Sequence, residues 1–299
     1  MSFDVSAQQH LLPFIIFIVM LAIGIDLETQ HFRKLLREPR VPVLGTLVHT
    51  LTFPLAAVIL VASSLALDLG LSEASLIGIL LIAACPSGGF SNVLVLIARA
   101  NLPLSVVLTA ISSLLSFFTV PLFFWLFSDI MPVLSGRVEL PVAPTLLHLL
   151  VLILLPIGLG MAWRHRNVEF VTTHVARMQR YAQRMFYVVL VLVIVQEWEV
   201  VRSGIVEALP WSIVLCVVTL SIGFLSARLL GLGPDDCATV AIESSIRNLA
   251  VALLIAANVM NRLDVAVLPT VYVLAVLLVA LAFSLVWRRR QPATEPSGQ

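Results

Sequence analysis

Charge is what this sequence has little of. Asp, Glu, Lys and Arg make up 12% of its 299 residues, against roughly a quarter in a soluble domain, so water is not the main solvent of the folded chain. The net charge of +1 gives no electrostatic basis for a nucleic-acid partner. Cysteine is equally scarce. Cys85, Cys216 and Cys237 lie within or at the ends of apolar stretches, without metal-like spacing, and read as packing residues. No basic n-region or small-residue cleavage site precedes Asp26 and Glu28, so the first apolar stretch reads as a retained helix rather than a leader. The strict apolar-polar alternation of an outer-membrane barrel is also missing, which favours helices over strands.

Long hydrophobic runs fill the space that charge leaves. The chain is 60% hydrophobic with a mean hydropathy of +1.06. A helix rising about 1.5 Å per residue crosses a hydrocarbon core roughly 30 Å thick in about twenty residues. Nine runs meet that length: 11–28, 41–67, 73–99, 103–128, 143–164, 184–201, 210–231, 236–260 and 264–287. The fold class is therefore an all-α polytopic membrane protein with no room for a soluble domain, ending in a disordered tail over 291–299. If the runs alternate in direction and the loop 29–40 is cytoplasmic, Arg33, Lys34, Arg37, Arg40, Arg99, Arg164, Arg166, Arg177, Arg180, Arg184, Arg228, Arg288, Arg289 and Arg290 all fall on that side. That is 14 of the 18 Lys and Arg residues, leaving Arg137, Arg202, Arg247 and Arg262. The positive-inside rule then puts the N-terminus outside and the C-terminus in the cytoplasm, in the cell (inner) membrane.

The third run is interrupted by Cys85-Pro86-Ser87-Gly88-Gly89-Phe90-Ser91-Asn92. Pro86 removes a backbone donor and the glycines weaken the helix after it. A broken helix at membrane depth is tolerated where its freed backbone groups are buried in protein or line a polar cavity, although a Pro kink can also serve packing alone. Asn92 is followed by an apolar run, Leu-Ile-Ala and Asn101, and Asn248 by an apolar run, Leu-Ile-Ala and Asn258. The charge-derived topology sends these two segments in opposite directions. Inverted repeats with interrupted helices are a transporter signature. The predicted halves are 1–130 with four helices and 131–290 with five.

Polar residues inside the runs need a reason to be there. Glu243 and Arg247 would each cost about 2.5–3.5 kcal/mol at a bilayer centre. Their spacing of four allows an internal ion pair, but Ser244, Ser245 and Asn248 make the same turn polar on several sides. Ser105, Thr109 and Ser112 share a helical face, and Ser112, Ser113 and Ser116 read as interhelical glue. An alkali cation needs several hard oxygens and gains from one carboxylate, by the logic of other hard cations. Ser91, Asn92, Ser105, Thr109 and Glu243 supply that set.

PSGGFSNVLVLIARANLPLSVVLT at 86–109 and IESSIRN at 242–248 resemble the bile acid:sodium symporter family of secondary transporters, in its bacterial type. The resemblance implies panel and core domains, two broken helices crossing in the core, and sodium beside the crossing, with Ser91, Asn92, Ser105, Thr109 and Glu243 matching the first sodium site. At two positions where family members with a second sodium site carry glutamine, this chain has His49 and Arg247. Arginine has five donors and no acceptor and cannot ligate a cation. Arg247 is therefore expected to replace the second sodium, leaving one coupled sodium, or a proton if His49 titrates. A neutral His49 hydrogen-bonded between helices is the alternative. The resemblance also implies that the first family helix is missing here, and Ser245, where relatives have glycine, suggests a less pronounced second break.

The implied function is sodium-coupled symport of an organic anion by alternating access, with Na+ as the co-transported ion, no organic cofactor, and Arg247, Asn248 and Ser244 receiving the anion. Two alternatives stand beside it. One is a sodium-independent or arsenite-type efflux carrier of the same superfamily, for which a cysteine is expected in the first broken helix and Cys85 lies just before the motif. The other is an intramembrane serine enzyme using Ser87 or Ser91, for which His49 and His148 are the only intramembrane histidines and neither has diagnostic spacing.

Overall fold

The computed structural model describes residues 5–26, 39–130, 147, 150–196 and 198–290. Among these residues every regular element is helical. In chain order they are α1 (Val5–Asp26), α2 (Arg40–Ala66), α3 (Glu73–Ala84), α4 (Phe90–Ala98), α5 (Leu102–Ile130) and a π turn (Leu150–Leu154) leading into α6 (Leu155–Arg166). Then come α7 (Val168–Gln196), α8 (Trp198–Leu229), α9 (Pro234–Ser245), α10 (Leu249–Leu254) with a π turn (Ile255–Val259), a 3-10 turn (Asp264–Ala266) and α11 (Val267–Arg290). Among the described residues, five stretches are long and apolar enough to cross a bilayer: Arg40–Ala66, Leu102–Phe127, Val201–Leu229, Pro234–Val259 and Asp264–Arg290. Pro13–Ala22 and Glu73–Ala84 are shorter apolar helices. The chain is a multi-pass membrane protein.

Its helices are arranged for lipid. On α2 the stripe Val43, Leu47, Leu51, Leu55 and Ile59 is exposed, while Thr46, His49 and Thr52 are buried. The same inversion holds on α5, where Leu115, Phe118, Leu122 and Trp125 face outward and Ser105, Thr109, Ser112, Ser113 and Ser116 face inward. Polar groups are thus sequestered from hydrocarbon, where each unsatisfied one would cost several kcal/mol. Ser113 and Ser116 satisfy themselves on the carbonyls of Thr109 and Ser113 at 2.8 and 2.7 Å. The expected glue between helices is there a bond within one helix.

The sixth predicted run, 184–201, straddles the end of α7 and the start of α8, and the seventh, 210–231, takes in only the apolar part of α8 and passes its end at Leu229. α7 begins at Val168 and carries Arg177, Arg180 and Arg184 ahead of its apolar C-terminal part, and α8 begins at Trp198 with Glu199 in its first turn. Hydropathy stops where charge begins, whereas a helix does not. The start of the run 143–164, His148, most of the loop 29–40 and the tail 291–299 lie outside the described residues.

Both interruptions are present. Cys85 is extended at φ −69°, ψ 149°, as expected of a residue preceding proline, and α4 restarts at Phe90. The second interruption covers Ile246 to Asn248, with Ile246 at φ −110°, ψ 131°, and has no proline. Asn248 restarts the chain as an N-cap, its side-chain oxygen accepting from the Val251 N–H at 3.3 Å. The second break is the shorter one.

The two breaks touch. The Asn248 N–H donates to the Pro86 carbonyl at 2.9 Å, and a Cβ on Gly88 would sit 3.0 Å from the Arg247 carbonyl oxygen, so only glycine lets the backbones meet without a shift. Each broken helix is also tied to the start of the other. Asn101, after α4, donates to Asp236 of α9 at 2.7 Å; Arg262, after α10, pairs with Glu73 of α3 at 3.2 Å. Helices α2–α5 and α8–α11 pack around this crossing, whereas α1, α6 and α7 pack chiefly on one another.

Contact between α1 and α6 runs through two glycines. A Cβ on Gly160 would lie 2.5 Å from the Leu21 carbonyl, one on Gly24 would lie 2.3 Å from the Ile157 carbonyl, and Gly158 has open space. Gly160→Val is expected to destabilise the protein by about 1–3 kcal/mol, read as a lower midpoint of thermal unfolding in detergent. Gly158→Val is expected to stay within about 0.5 kcal/mol of the parent. Equal midpoints for the two variants would refute this account of the α1–α6 contact.

Candidate ion and substrate site

Glu243 is in the last turn of α9, immediately before the second break, and is fully buried. Its carboxylate is wrapped by hydroxyls from the opposite half of the chain. Ser105 donates to Oε1 at 2.5 Å, Ser87 to Oε2 at 2.5 Å, and Thr109 lies 3.1 and 3.2 Å from the two oxygens. Around this pair of oxygens, Ser91 and Thr109 share a hydrogen bond at 3.2 Å and Ser105 reaches the Asn92 side-chain oxygen at 2.7 Å. All five residues singled out from the sequence, Ser91, Asn92, Ser105, Thr109 and Glu243, form one cluster.

Local structure explains how they meet. Ser91 and Asn92 open α4 directly after the first break, and the Ser91 hydroxyl turns back to the Gly88 carbonyl at 2.9 Å. Ser105 and Thr109 are four apart on α5, hence on one face. The cluster offers one carboxylate, an amide oxygen and hydroxyls that keep free lone pairs while donating. Such hard oxygens suit an alkali or alkaline-earth ion and are poor ligands for soft transition metals.

Arg247 does not join Glu243. The break between them ends the helical register, and no ion pair links the two among the described residues. The guanidinium donates instead to the His49 carbonyl at 2.8 Å and the Cys85 carbonyl at 3.4 Å, and lies 4.5 Å from the Phe53 ring centroid. A buried cation ligated by backbone carbonyls and an aromatic face occupies the position between α2 and the first break. The His49 ring is fully buried with neither nitrogen hydrogen-bonded, so the expected interhelical hydrogen bond is absent.

Ser244 faces α8, where a Cβ on Gly223 would come within 2.6 Å of its hydroxyl. Asn248 caps α10 and contacts Pro86. Cys85 returns its thiol to the Leu81 carbonyl of its own helix at 3.2 Å.

Sequence reasoning passed over three contributors. Ser87, which the sequence offers only as a nucleophile, holds a Glu243 oxygen, and its own N–H donates to Ser112 at 3.2 Å. Tyr272 donates to the freed Ser245 carbonyl at 2.7 Å, and Gly88 admits the second break. Each acts across more than twenty residues of sequence, where spacing carries no signal.

Two crossing interrupted helices with a buried carboxylate at their junction, in an all-helical membrane protein, define the architecture of secondary transporters. The sequence profile of the Sodium Bile acid symporter family matches residues 13–204, and the chain belongs to that family. It is 32% identical over 241 residues to the uncharacterized sodium-dependent transporter YocS of Bacillus subtilis (strain 168), covering 77% of this chain and 68% of that one. It is 25% identical over 245 residues to the human sodium/bile acid cotransporter 4, covering 77% and 52%. It is also 24% identical over 273 residues to a probable chloroplastic sodium/metabolite cotransporter, BASS2, of Oryza sativa subsp. japonica, covering 91% and 62%. The matched region is thus about half of the human protein and under two thirds of the rice one. These relatives are named transporters and cotransporters rather than enzymes, which decides against the serine-enzyme alternative.

If the cluster binds sodium, sodium raises the thermal midpoint of the purified protein by mass action. Glu243→Gln is expected to abolish that response. Ser87→Ala is expected to weaken apparent sodium affinity roughly ten-fold, the scale of a hydrogen bond to a charged group. A Glu243→Gln protein stabilised by sodium like the parent removes the site.

Proposed function

We propose that this protein is a sodium-coupled carrier of an organic anion, working by alternating access in the cell membrane. The observation that carries the proposal is the Glu243 carboxylate. It is fully buried, contacted by three hydroxyls, and unpaired with any cation among the described residues. Burying an uncompensated carboxylate costs several kcal/mol even with good hydrogen bonds, and a sodium ion held by Ser91, Asn92, Ser105, Thr109 and Glu243 offsets that cost. Relatives described as sodium-dependent transporters and cotransporters support the same reading.

The two interrupted segments belong to inverted repeats over 1–130 and 131–290, in a nine-helix arrangement with its N-terminus outside. The reciprocal ties Asn101–Asp236 and Arg262–Glu73 support this, since each relates the end of one broken helix to the start of the other. The group α1, α6 and α7 serves as the panel and the helices around the crossing serve as the core. Transport is a rigid-body movement of one against the other.

One sodium accompanies each substrate. Arg247 brings its own positive charge to the carbonyls of His49 and Cys85, where a second cation would be repelled. The His49 ring, with neither nitrogen hydrogen-bonded, offers a proton no relay partner among the described residues. Arg247 and Asn248 lie on the second break for recognition of the anion. Ser244, turned toward α8, is left out of that role.

Proteoliposomes loaded with candidate organic acids supply the test. Counterflow is expected to require sodium and to vanish in Glu243→Ala. Parallel sodium and substrate fluxes are expected at a ratio near one. A ratio near two would overturn the single-ion stoichiometry, and sodium-independent flux would favour an uncoupled or efflux carrier.

A further inference from the structure

Helices α8 and α11 end together. Phe224 of α8 packs edge-on against Phe283 and Trp287 of α11, with ring centroids 6.3 and 5.6 Å apart, and Phe283 stacks on Trp287 at 5.9 Å. One turn past this aromatic seam both helices turn basic. Arg228 follows Phe224 by one helical turn, and Arg288, Arg289 and Arg290 close α11, the Arg290 guanidinium lying 6.0 Å from the Trp287 ring centroid. Arg40, at the start of α2, reaches the same end and donates to the Leu230 carbonyl at 3.4 Å. This is the cytoplasmic end in the proposed orientation.

All of these arginines are exposed, and none of them forms an ion pair among the described residues. The first turn of α9, just past the end of α8, carries Asp235 and Asp236, of which Asp236 accepts from Asn101 at 2.7 Å. The guanidinium charges outnumber these carboxylates. Next to the charges the surface is apolar. Val214, Val218, Leu225 and Leu229 are exposed at helical spacing along α8, with Arg228 one turn beyond Leu225, and Leu274, Leu278 and Leu285 are exposed along α11.

A guanidinium at the edge of hydrocarbon keeps its charge solvated by water or by an anionic headgroup. Clustered like charges repel, so an anion that bridges two of them relieves repulsion as well as adding attraction. The planar fork of arginine matches phosphate oxygens in pairs. An occupant that meets both the apolar faces and the arginines must join hydrocarbon chains to a negative phosphate.

We propose that the seam between α8 and α11 holds an anionic phospholipid, its phosphate bridging Arg228 and Arg290 and its acyl chains lying along the exposed face of α8. Arg40, Arg288 and Arg289 add attraction at longer range. The site is separate from the Glu243 cluster and is independent of what is transported. Because α8 and α11 pack along one another beside the crossing, a headgroup held there fixes the depth of the crossing in the bilayer.

Thermal unfolding of the full chain in detergent tests this. Dioleoylphosphatidylglycerol is the probe, dioleoylphosphatidylcholine the neutral lipid with the same chains, and inorganic phosphate the free anion. Phosphatidylglycerol is expected to raise the midpoint beyond phosphatidylcholine by mass action, and phosphate to leave it unchanged. One arginine near an anionic headgroup is worth roughly five-fold in affinity. Arg228→Gln is therefore expected to move the phosphatidylglycerol titration about five-fold toward higher lipid, and Arg228→Gln with Arg290→Gln about twenty-five-fold. Arg202→Gln makes the same change of charge near the other end of α8, roughly 40 Å away by helical rise and beyond the screening length. It is expected to stay within about two-fold of the parent. These positions are exposed, so the variants keep the fold. Equal midpoints in the two lipids, or equal titrations for Arg202→Gln and Arg228→Gln, overturn the assignment. A phosphate response that reproduces the lipid response overturns it too, by making the ligand a soluble anion.

Discussion

The structure depends on a single contact between two pieces of backbone that have left helical geometry inside a membrane protein: the Asn248 N–H on the Pro86 carbonyl, with Gly88 pressed to the Arg247 carbonyl. Broken helices free polar groups that lipid cannot satisfy. Here every break supplies partners for the other or draws them from a neighbour. The Pro86 carbonyl takes Asn248, the Ser245 carbonyl takes Tyr272, and the Cys85 carbonyl takes Arg247. Separate the breaks and at least two of these acceptors lose their donors together, which makes the crossing a cooperative unit.

The crossing also determines how two opposite charges at helical spacing avoid each other. On an intact helix Glu243 and Arg247 would lie side by side and neutralise one another. Ending α9 at Ser245 turns them to different surroundings: hydroxyls from α5 and the first break for the carboxylate, carbonyls and Phe53 for the guanidinium. Each charge is solvated by fixed dipoles without being cancelled. An uncancelled charge in a low-dielectric interior is a strong attractor for a mobile ion of the opposite sign. Site and fold are thus one device, because the same three residues that end α9 keep both charges available.

Much of this was legible in the sequence, for reasons that can be named. Pro86 and two glycines inside an apolar run mark a break through their own backbone chemistry, and Cys85 obeys the restriction on residues before proline. Ser105 and Thr109 share a face by periodicity alone. The oxygen needs of an alkali cation join them to Ser91, Asn92 and Glu243, the family resemblance implies the same set, and the structure gathers the same residues. What spacing does not encode is tertiary. Ser87 reaches Glu243 across 156 positions and Tyr272 reaches Ser245 across 27. The second break has no proline to announce it, and Ser245 in place of glycine pointed to a weaker interruption. Its depth comes from partners elsewhere. The starts of α7 and α8 escape hydropathy because polar turns extend helices beyond the hydrocarbon-length stretch that it detects.

The reciprocal ties at the ends of the broken helices carry the last step. Asn101 bonds both Asp236 and Thr239 at the start of α9, while Arg262 joins Glu73 at the start of α3 and is itself held by Asp264 at 2.7 Å. Pinned at both ends, the four half-helices cannot slide independently. A change in charge at their junction is therefore borne by the whole crossing rather than by one loop. In the proposed cycle the less entangled group of α1, α6 and α7, joined internally through Gly24 and Gly160, is the part that moves against it. A pinned crossing beside a separate helix group is the mechanical division that alternating access requires. It follows from where the prolines, glycines and buried charges fall along the chain.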